Sequence, residues 1–155
     1  MKKHEVYEVP LFRLQLVQEG TLPFASIVSP EAVAAHLQDL ASSDREQMVA
    51  IYLNTKNRAI GRQTVSIGTL NSTLVDPAMV FKGALLANAQ ALILAHNHPS
   101  GDTTPSPADD RVTERIAQAG RLLEVHLLDH VVLSPSGEFY SYKERNPACL
   151  EGASR

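Results

Sequence analysis

The chain has 155 residues, 44% of them hydrophobic, a formal charge of −3 and one cysteine, Cys149. That length suits one domain with a core large enough to stand unaided, and a lone cysteine excludes an intrachain disulfide, a cysteine-built zinc site and a redox pair. The weak acidity and scattered basic residues disfavour nucleic acid as an obligatory partner. No apolar run reaches the roughly 20 residues of a membrane helix, and Met1-Lys2-Lys3 leads into mixed polar sequence, so a soluble cytoplasmic protein is expected.

In chain order, residues 1–28 read as an arm with one strand, Tyr7 to Val17, an edge strand or partner-binding element that could mediate a homodimer. Ser29-Pro30 opens a helix to about Leu40, with Pro at the first helical position. Met48–Leu53 and Ile60–Ile67 read as a hairpin around Asn54-Thr55-Lys56-Asn57. Lys56, Arg58 and Arg62 on it are the nearest thing to a basic patch, and such residues are more often solubilising surface. Asp76-Pro77 opens a second helix whose Gly83, Ala84 and Ala87 allow close packing on a sheet. A strand from Ala91 follows, then a helix from Pro107 to about Leu122 that buries Val112, Ile116, Ala119 and Leu123 and turns Arg111, Glu114, Arg115 and Gln118 outward. Strands at Val125–Leu133 and Glu138–Tyr142 flank the turn Ser134-Pro135-Ser136-Gly137. The sum is one α/β domain over 29–145, a mixed β-sheet flanked by helices, with a polar tail at 146–155.

The informative stretch runs from His96-Asn97-His98-Pro99-Ser100-Gly101 to Ser106-Pro107-Ala108-Asp109, directly after Ala91-Leu92-Ile93-Leu94-Ala95. Residues two apart on a strand share a face, so His96 and His98 can offer two imidazoles to one cation. Gly101 and Pro105 mark a turn-rich connection, and Asp109 falls in the first turn of the next helix, where it could return a third ligand. Successive helical residues diverge by about 100°, so Asp110 cannot share that aim and one of the two acids is expected to face solvent. Two imidazoles and one carboxylate leave a coordination position open, which suits a catalytic zinc, one Zn2+ per chain, better than a closed structural one. Read alone, Ser106-Pro107-Ala108-Asp109 is also an ordinary helix cap followed by an acid that favours the dipole, and capping is compatible with ligation.

His-x-His-Pro followed by Ser106 and Asp109 resembles the JAMM signature of the JAB/MPN metalloprotease superfamily, and His-Asn-His-Pro-Ser-Gly resembles its RadC branch. The similarity extends through Leu53-Asn54-Thr55-Lys56-Asn57-Arg58 and Leu128-Asp129-His130-Val131-Val132, over roughly residues 28 to 145. It implies the JAB/MPN, cytidine deaminase-like sandwich and a zinc-dependent peptidase or isopeptidase acting on a peptide or protein. It also implies a general base from an early strand. Glu46, just before Met48-Val49-Ala50-Ile51-Tyr52-Leu53, is the best candidate; Glu31, at a helix start, is a weaker rival. By the same resemblance Ser106 would hydrogen-bond the developing oxyanion. One departure is Asp76-Pro77-Ala78-Met79, where RadC sequences often show Pro-Arg-Glu.

His130 could support the site from the strand Val125–Leu133, where even positions share a face, and Asp129 or a backbone oxygen could orient a ligating imidazole. His126 reads as a partly exposed strand residue, and His4 and His36 are given no role. Two other classes stay open. RadC relatives are commonly described as DNA-repair proteins and often carry an N-terminal DNA-binding region that a chain of this length is expected to lack. A non-catalytic interaction module stabilised by its metal is the third. A zinc deaminase is disfavoured because His-x-Glu and Pro-Cys-x-x-Cys are absent.

Overall fold

Two apolar runs, Met48–Leu53 and Ala91–Ala95, are too continuous for a half-exposed strand, and both lie at the centre of the sheet, covered on each face. The structure is a computed structural model that describes residues 8–23, 29–68 and 75–151. Its elements run α1 (Pro30–His36), α2 (Gln38–Ala41), β1 (Gln47–Leu53), β2 (Ala59–Ile67), α3 (Pro77–Leu86), β3 (Ala91–Asn97), α4 (Pro107–Leu123), β4 (His126–Leu133), β5 (Phe139–Ser141), α5 (Tyr142–Arg145) and α6 (Ala148–Glu151). The sheet has the order β2-β1-β3-β4-β5, with β3 and β4 parallel and the other pairs antiparallel. This is the expected α/β architecture, a mixed sheet between helical layers.

Alternation along the strands divides the core in two. Met48, Ala50, Tyr52, Leu92 and Leu94 pack with Val80, Phe81 and Ala84 of α3 and Val112, Ile116 and Ala117 of α4. On the other face Val49, Ile51, Leu53, Ile93 and Ala95 pack with Val33, Ala34, Leu37 and Leu40 of α1, α2 and their junction. The close packing expected of α3 is met at Gly83, where a Cβ would collide with the side chains of Gln63 and Tyr52.

Several boundaries differ from expectation. The helix foreseen over Pro30–Leu40 breaks at Leu37, whose φ of −110° and ψ of 31° end α1 before α2 begins. The strand expected at Tyr7–Val17 does not form over residues 8–17, while Tyr7 lies outside the described residues. Leu11, Phe12, Leu14, Leu16 and Val17 are exposed there, and the arm joins neither β2 nor β5, the two edges of the sheet. An apolar run without a backbone partner has nothing to hold it as a strand. Within the supposed polar tail, α6 instead packs on α4 and buries Cys149 against Val132 and Tyr142. The buried stripe of α4 also runs through Thr113, Ala117 and Gly120, leaving Ala119 half-buried and Leu123 40% exposed.

Candidate metal centre

His96 is the penultimate residue of β3, on the α4 side of the sheet, and is fully buried, and His98 follows directly after the strand. The turn behind them closes when the Gly101 N–H donates to the His98 carbonyl at 3.0 Å. It needs φ of 89° at Gly101, a value cheap only for glycine. The chain then passes back under His98, whose Nδ1 donates to the Asp102 carbonyl at 2.6 Å. α4 begins with a complete capping box: Ser106 Oγ accepts from the Asp109 N–H, and the Asp109 carboxylate accepts from the Ser106 N–H. Cap and ligand candidate are therefore one residue, as its sequence position allowed. The box aims Asp109 Oδ1 and Oδ2 at His96 Nε2 and His98 Nε2, at 3.3 and 3.5 Å.

The hydrogen-bond partners assign the imidazole protons. Thr113 has one hydroxyl proton and donates it to the Asp109 carbonyl at 2.7 Å, a side-chain bond to the preceding helical turn. Its oxygen must then accept from His130 Nδ1, 2.6 Å away. His130 Nε2 is thereby left as an acceptor, and His96 Nδ1 donates to it at 2.8 Å. Burial, and next the neighbouring His96, hold the His130 pKa well below the ordinary imidazole value, so this ring stays neutral. With both Nδ1 atoms donating, the Nε2 lone pairs of His96 and His98 face one another at 3.0 Å, beside a carboxylate.

Lone pairs so placed repel unless a cation or a proton lies between them. Tetrahedral zinc, with bonds of about 2.0–2.1 Å, separates its donor atoms by about 3.3 Å. The observed 3.0, 3.3 and 3.5 Å bracket that spacing, and His96, His98 and Asp109 form the group able to hold a metal ion among the described residues. Without metal a proton is favoured there: the hydrogen bond with Asp109 raises the His98 pKa above its ordinary value against the opposing effect of burial. Burial alone would raise the Asp109 pKa, but hydrogen bonds with His96 and His98 hold it well below the carboxylate range.

The raised His98 pKa gives the metal-free protein stability that is full below the unfolded value of about 6.5 and is lost as pH rises through the folded value. The lowered Asp109 pKa gives stability present above the ordinary carboxylate value and lost progressively as pH falls below it toward the lowered folded value. Metal binding requires neutral His98 and strengthens with pH. The melting-temperature gain on adding zinc should thus be larger near pH 8 than near pH 6, across the titration range of imidazole. An equal gain at both would show that His98 is no ligand.

The remaining candidates separate clearly. Glu46 is half-buried immediately before β1. It lies close enough for its charge to help raise the His98 pKa, and it lines a cavity of about 370 Å³ with Asp44, Arg45, Gly68 and Pro99. Glu31 is exposed in the first turn of α1, on the opposite face of the sheet. The Ser106 hydroxyl donates to Asp109 Oδ2 at 2.8 Å, so any bond from it to a substrate requires the proton to turn away from the carboxylate. Asp110 is half-buried and accepts from Tyr142 Oη at 2.7 Å, contrary to the solvent-facing role expected for one acid of the pair. Asp129 orients no imidazole; it accepts from the His130 N–H, the Lys143 N–H and Ser141 Oγ. His126 is exposed, and a register shift in the β3–β4 pairing separates it from His130.

Sequence reasoning passed over Thr113 and Asn97. Thr113 was hidden by its place on an amphipathic helix, although i+4 from Asp109 it shares that residue's face. Thr113→Val should leave the His130 Nδ1–H unpaired at about 1–3 kcal/mol and weaken metal affinity about 10–100-fold. Competition with a chromophoric chelator measures this, and unchanged affinity would remove Thr113 from the relay.

The fold and donor set define an α/β protein with a candidate metal centre at the end of a central strand, built from two imidazoles and one helix-capping carboxylate. Residues 27–147 match the family model described as a RadC-like JAB domain, and the chain belongs to that family. It is 44% identical over 131 residues to a UPF0758 protein of Shouchella clausii, covering 83% of this chain and 56% of the relative. A UPF0758 protein of Moorella thermoacetica is 47% identical over 127 residues, covering 81% and 55%. One from Chlorobium chlorochromatii is 42% identical over 106 residues, covering 68% and 47%. The chain thus spans about half the length of these curated relatives.

Proposed function

We propose that this protein is a zinc-dependent hydrolase of amide bonds, a peptidase or isopeptidase. The observation that carries the reading is the approach of His96 Nε2 and His98 Nε2 to 3.0 Å beside the Asp109 carboxylate, with Glu46 on a cavity that Pro99, the neighbour of His98, also lines. Zinc held by His96, His98 and Asp109 would polarise a scissile carbonyl and acidify water at the site. Glu46 takes the proton from the attacking water and returns it to the leaving amine, serving first as base and then as acid. Ser106, released from Asp109, donates its hydroxyl to the developing oxyanion. His130 and Thr113 keep the His96 Nε2 lone pair pointed inward, and Asp102 does so for His98.

The DNA-associated reading gains no support from the basic residues. Arg62 is paired with Asp39 at 2.9 Å. Lys56 and Arg58 lie at the β1–β2 turn, beyond Leu53, whereas Glu46 adjoins the other end of β1. No helix among the described residues is long and apolar enough to cross a membrane.

The test is a screen of peptides and of isopeptide-linked conjugates with the metal-loaded, chelated and zinc-restored chain. Cleavage that disappears with the chelator and returns with zinc supports the hydrolase. A fully loaded protein inert across the panel, yet losing thermal stability on chelation, would favour the interaction module. Salt-sensitive DNA binding would favour the DNA-associated factor.

A further inference from the structure

Asn97 separates the two imidazole-bearing residues, and strand alternation sends its side chain away from theirs. It reaches the segment Ser43–Gln47, which leads into β1 and carries Glu46. Asn97 Oδ1 accepts from the Gln47 N–H at 2.8 Å, while Nδ2 donates to the Ser43 carbonyl at 3.2 Å and the Arg45 carbonyl at 2.9 Å. The side chain is fully buried, so each bond is made away from solvent. On the far side, the Glu46 carbonyl accepts from the Gly68 N–H at 2.8 Å. The backbone before and after Glu46 is therefore tied to the same strand that presents His96 and His98.

The pattern demands a neutral amide. An aspartate would set a carboxylate oxygen against two carbonyls, and an aliphatic side chain would leave one N–H and two carbonyls of this segment unpaired. β1 and β3 already pair at Met48 and His96, so the fold has a ladder in place at that point. On its other edge the first residue of β1, Gln47, pairs with Ile67 of β2, and the Asn97 bonds add a tie from β3 at Gln47 and at Ser43 and Arg45, two residues that precede β1.

Building on the hydrolase reading, we propose that Asn97 is a positioning residue that fixes the Glu46 carboxylate relative to His98. A proton acceptor must stand within hydrogen-bond reach of the water it activates, and misplacement by about 1 Å can cost two orders of magnitude in rate. Asn97 supplies that placement without touching the reacting atoms. Metal ligands and base are thereby held by one short stretch, residues 96–98.

The experiment loads the chain with cobalt(II) and follows its visible absorption against pH in the wild type, Asn97→Ala, Glu46→Gln and the double variant. Cobalt per chain and circular dichroism are measured on each. Asn97→Ala should stay folded, keep its cobalt, and shift the pH midpoint in the same direction as Glu46→Gln. The double variant should shift no further than Glu46→Gln alone, because the two residues act through one carboxylate. Should Asn97→Ala not fold, Asn97→Ser, too short to reach all three backbone groups, carries the same comparison.

A wild-type midpoint in folded, loaded Asn97→Ala or Asn97→Ser, with Glu46→Gln displaced, overturns the positioning role and leaves the hydrolase reading standing. A shift that adds to that of Glu46→Gln also overturns it. A midpoint unmoved by Glu46→Gln itself removes Glu46 from the site, and both readings fail together.

Discussion

Glu46→Gln is expected to lower the hydrolytic rate by about 10²–10⁴-fold while leaving the metal content unchanged. Glutamine keeps the size and most of the hydrogen-bonding capacity of glutamate but cannot take up a proton, so the variant removes one step of the chemistry and little else. The prediction depends on Glu46 lying near the candidate ligands without being one of them: its charge helps raise the His98 pKa and it lines a cavity with Pro99, the neighbour of His98, yet it stands outside the His96–His98–Asp109 group. Glu31→Gln supplies the matched control, an exposed acid on the opposite face of the sheet, and should turn over at the wild-type rate. The measurement is kcat on the best substrate of the screen, with metal per chain determined on the same preparations. Full activity in Glu46→Gln would exclude it as the base. Parallel loss of metal and activity would mean that Glu46 helps to assemble the site and would leave its role in proton transfer without support.

The candidate ligand set was legible as a cluster because each of its parts rests on a local rule. His96 and His98 are two apart at the end of an apolar strand, and Asp109 is the acid of a capping box; both rules fix side-chain direction over a few residues. The arm departs from its sequence pattern for the converse reason. Its apolar alternation satisfies the local pattern of a strand, but a strand exists only with a partner, and pairing is a tertiary fact. α6 was missed because four residues around Cys149 carry no periodicity; the cluster with Val132 and Tyr142 holds them. Asp129 and Thr113 show a subtler limit. Asp129 or a backbone oxygen was expected to orient a ligating imidazole; the Asp102 carbonyl does so for His98, whereas His96 meets His130, whose own partner comes from α4, 17 residues away. A register shift in the β3–β4 pairing precedes the alignment that sets His130 beside Leu94 and so within reach of His96. Irregularities of that kind leave no mark on a single sequence.

Removing the metal should cost the protein about as much stability as any single change to its core. A ligand present at a thousandfold excess over its dissociation constant stabilises the folded state by about 4 kcal/mol, which for a domain of this size corresponds to roughly 10 °C in melting temperature. At a pH above the raised His98 pKa, where the proton no longer substitutes between the imidazoles, chelation of the wild type should therefore lower its melting temperature by about that amount. His98→Ala should melt near the chelated wild type and ignore the chelator. Asp109→Ala should ignore it too but melt lower still, because it also loses the cap that accepts from the Ser106 N–H, worth about 1 kcal/mol. The order wild type, then His98→Ala, then Asp109→Ala distinguishes a residue that only ligates from one that both ligates and caps. Elemental analysis should find near one metal ion per chain in the wild type and none in either variant. A wild type that takes up no metal after zinc reconstitution, or whose melting ignores the chelator, would show that three donors bracketing the tetrahedral spacing are here a hydrogen-bonded cluster, with the His98 proton filling the place assigned to zinc.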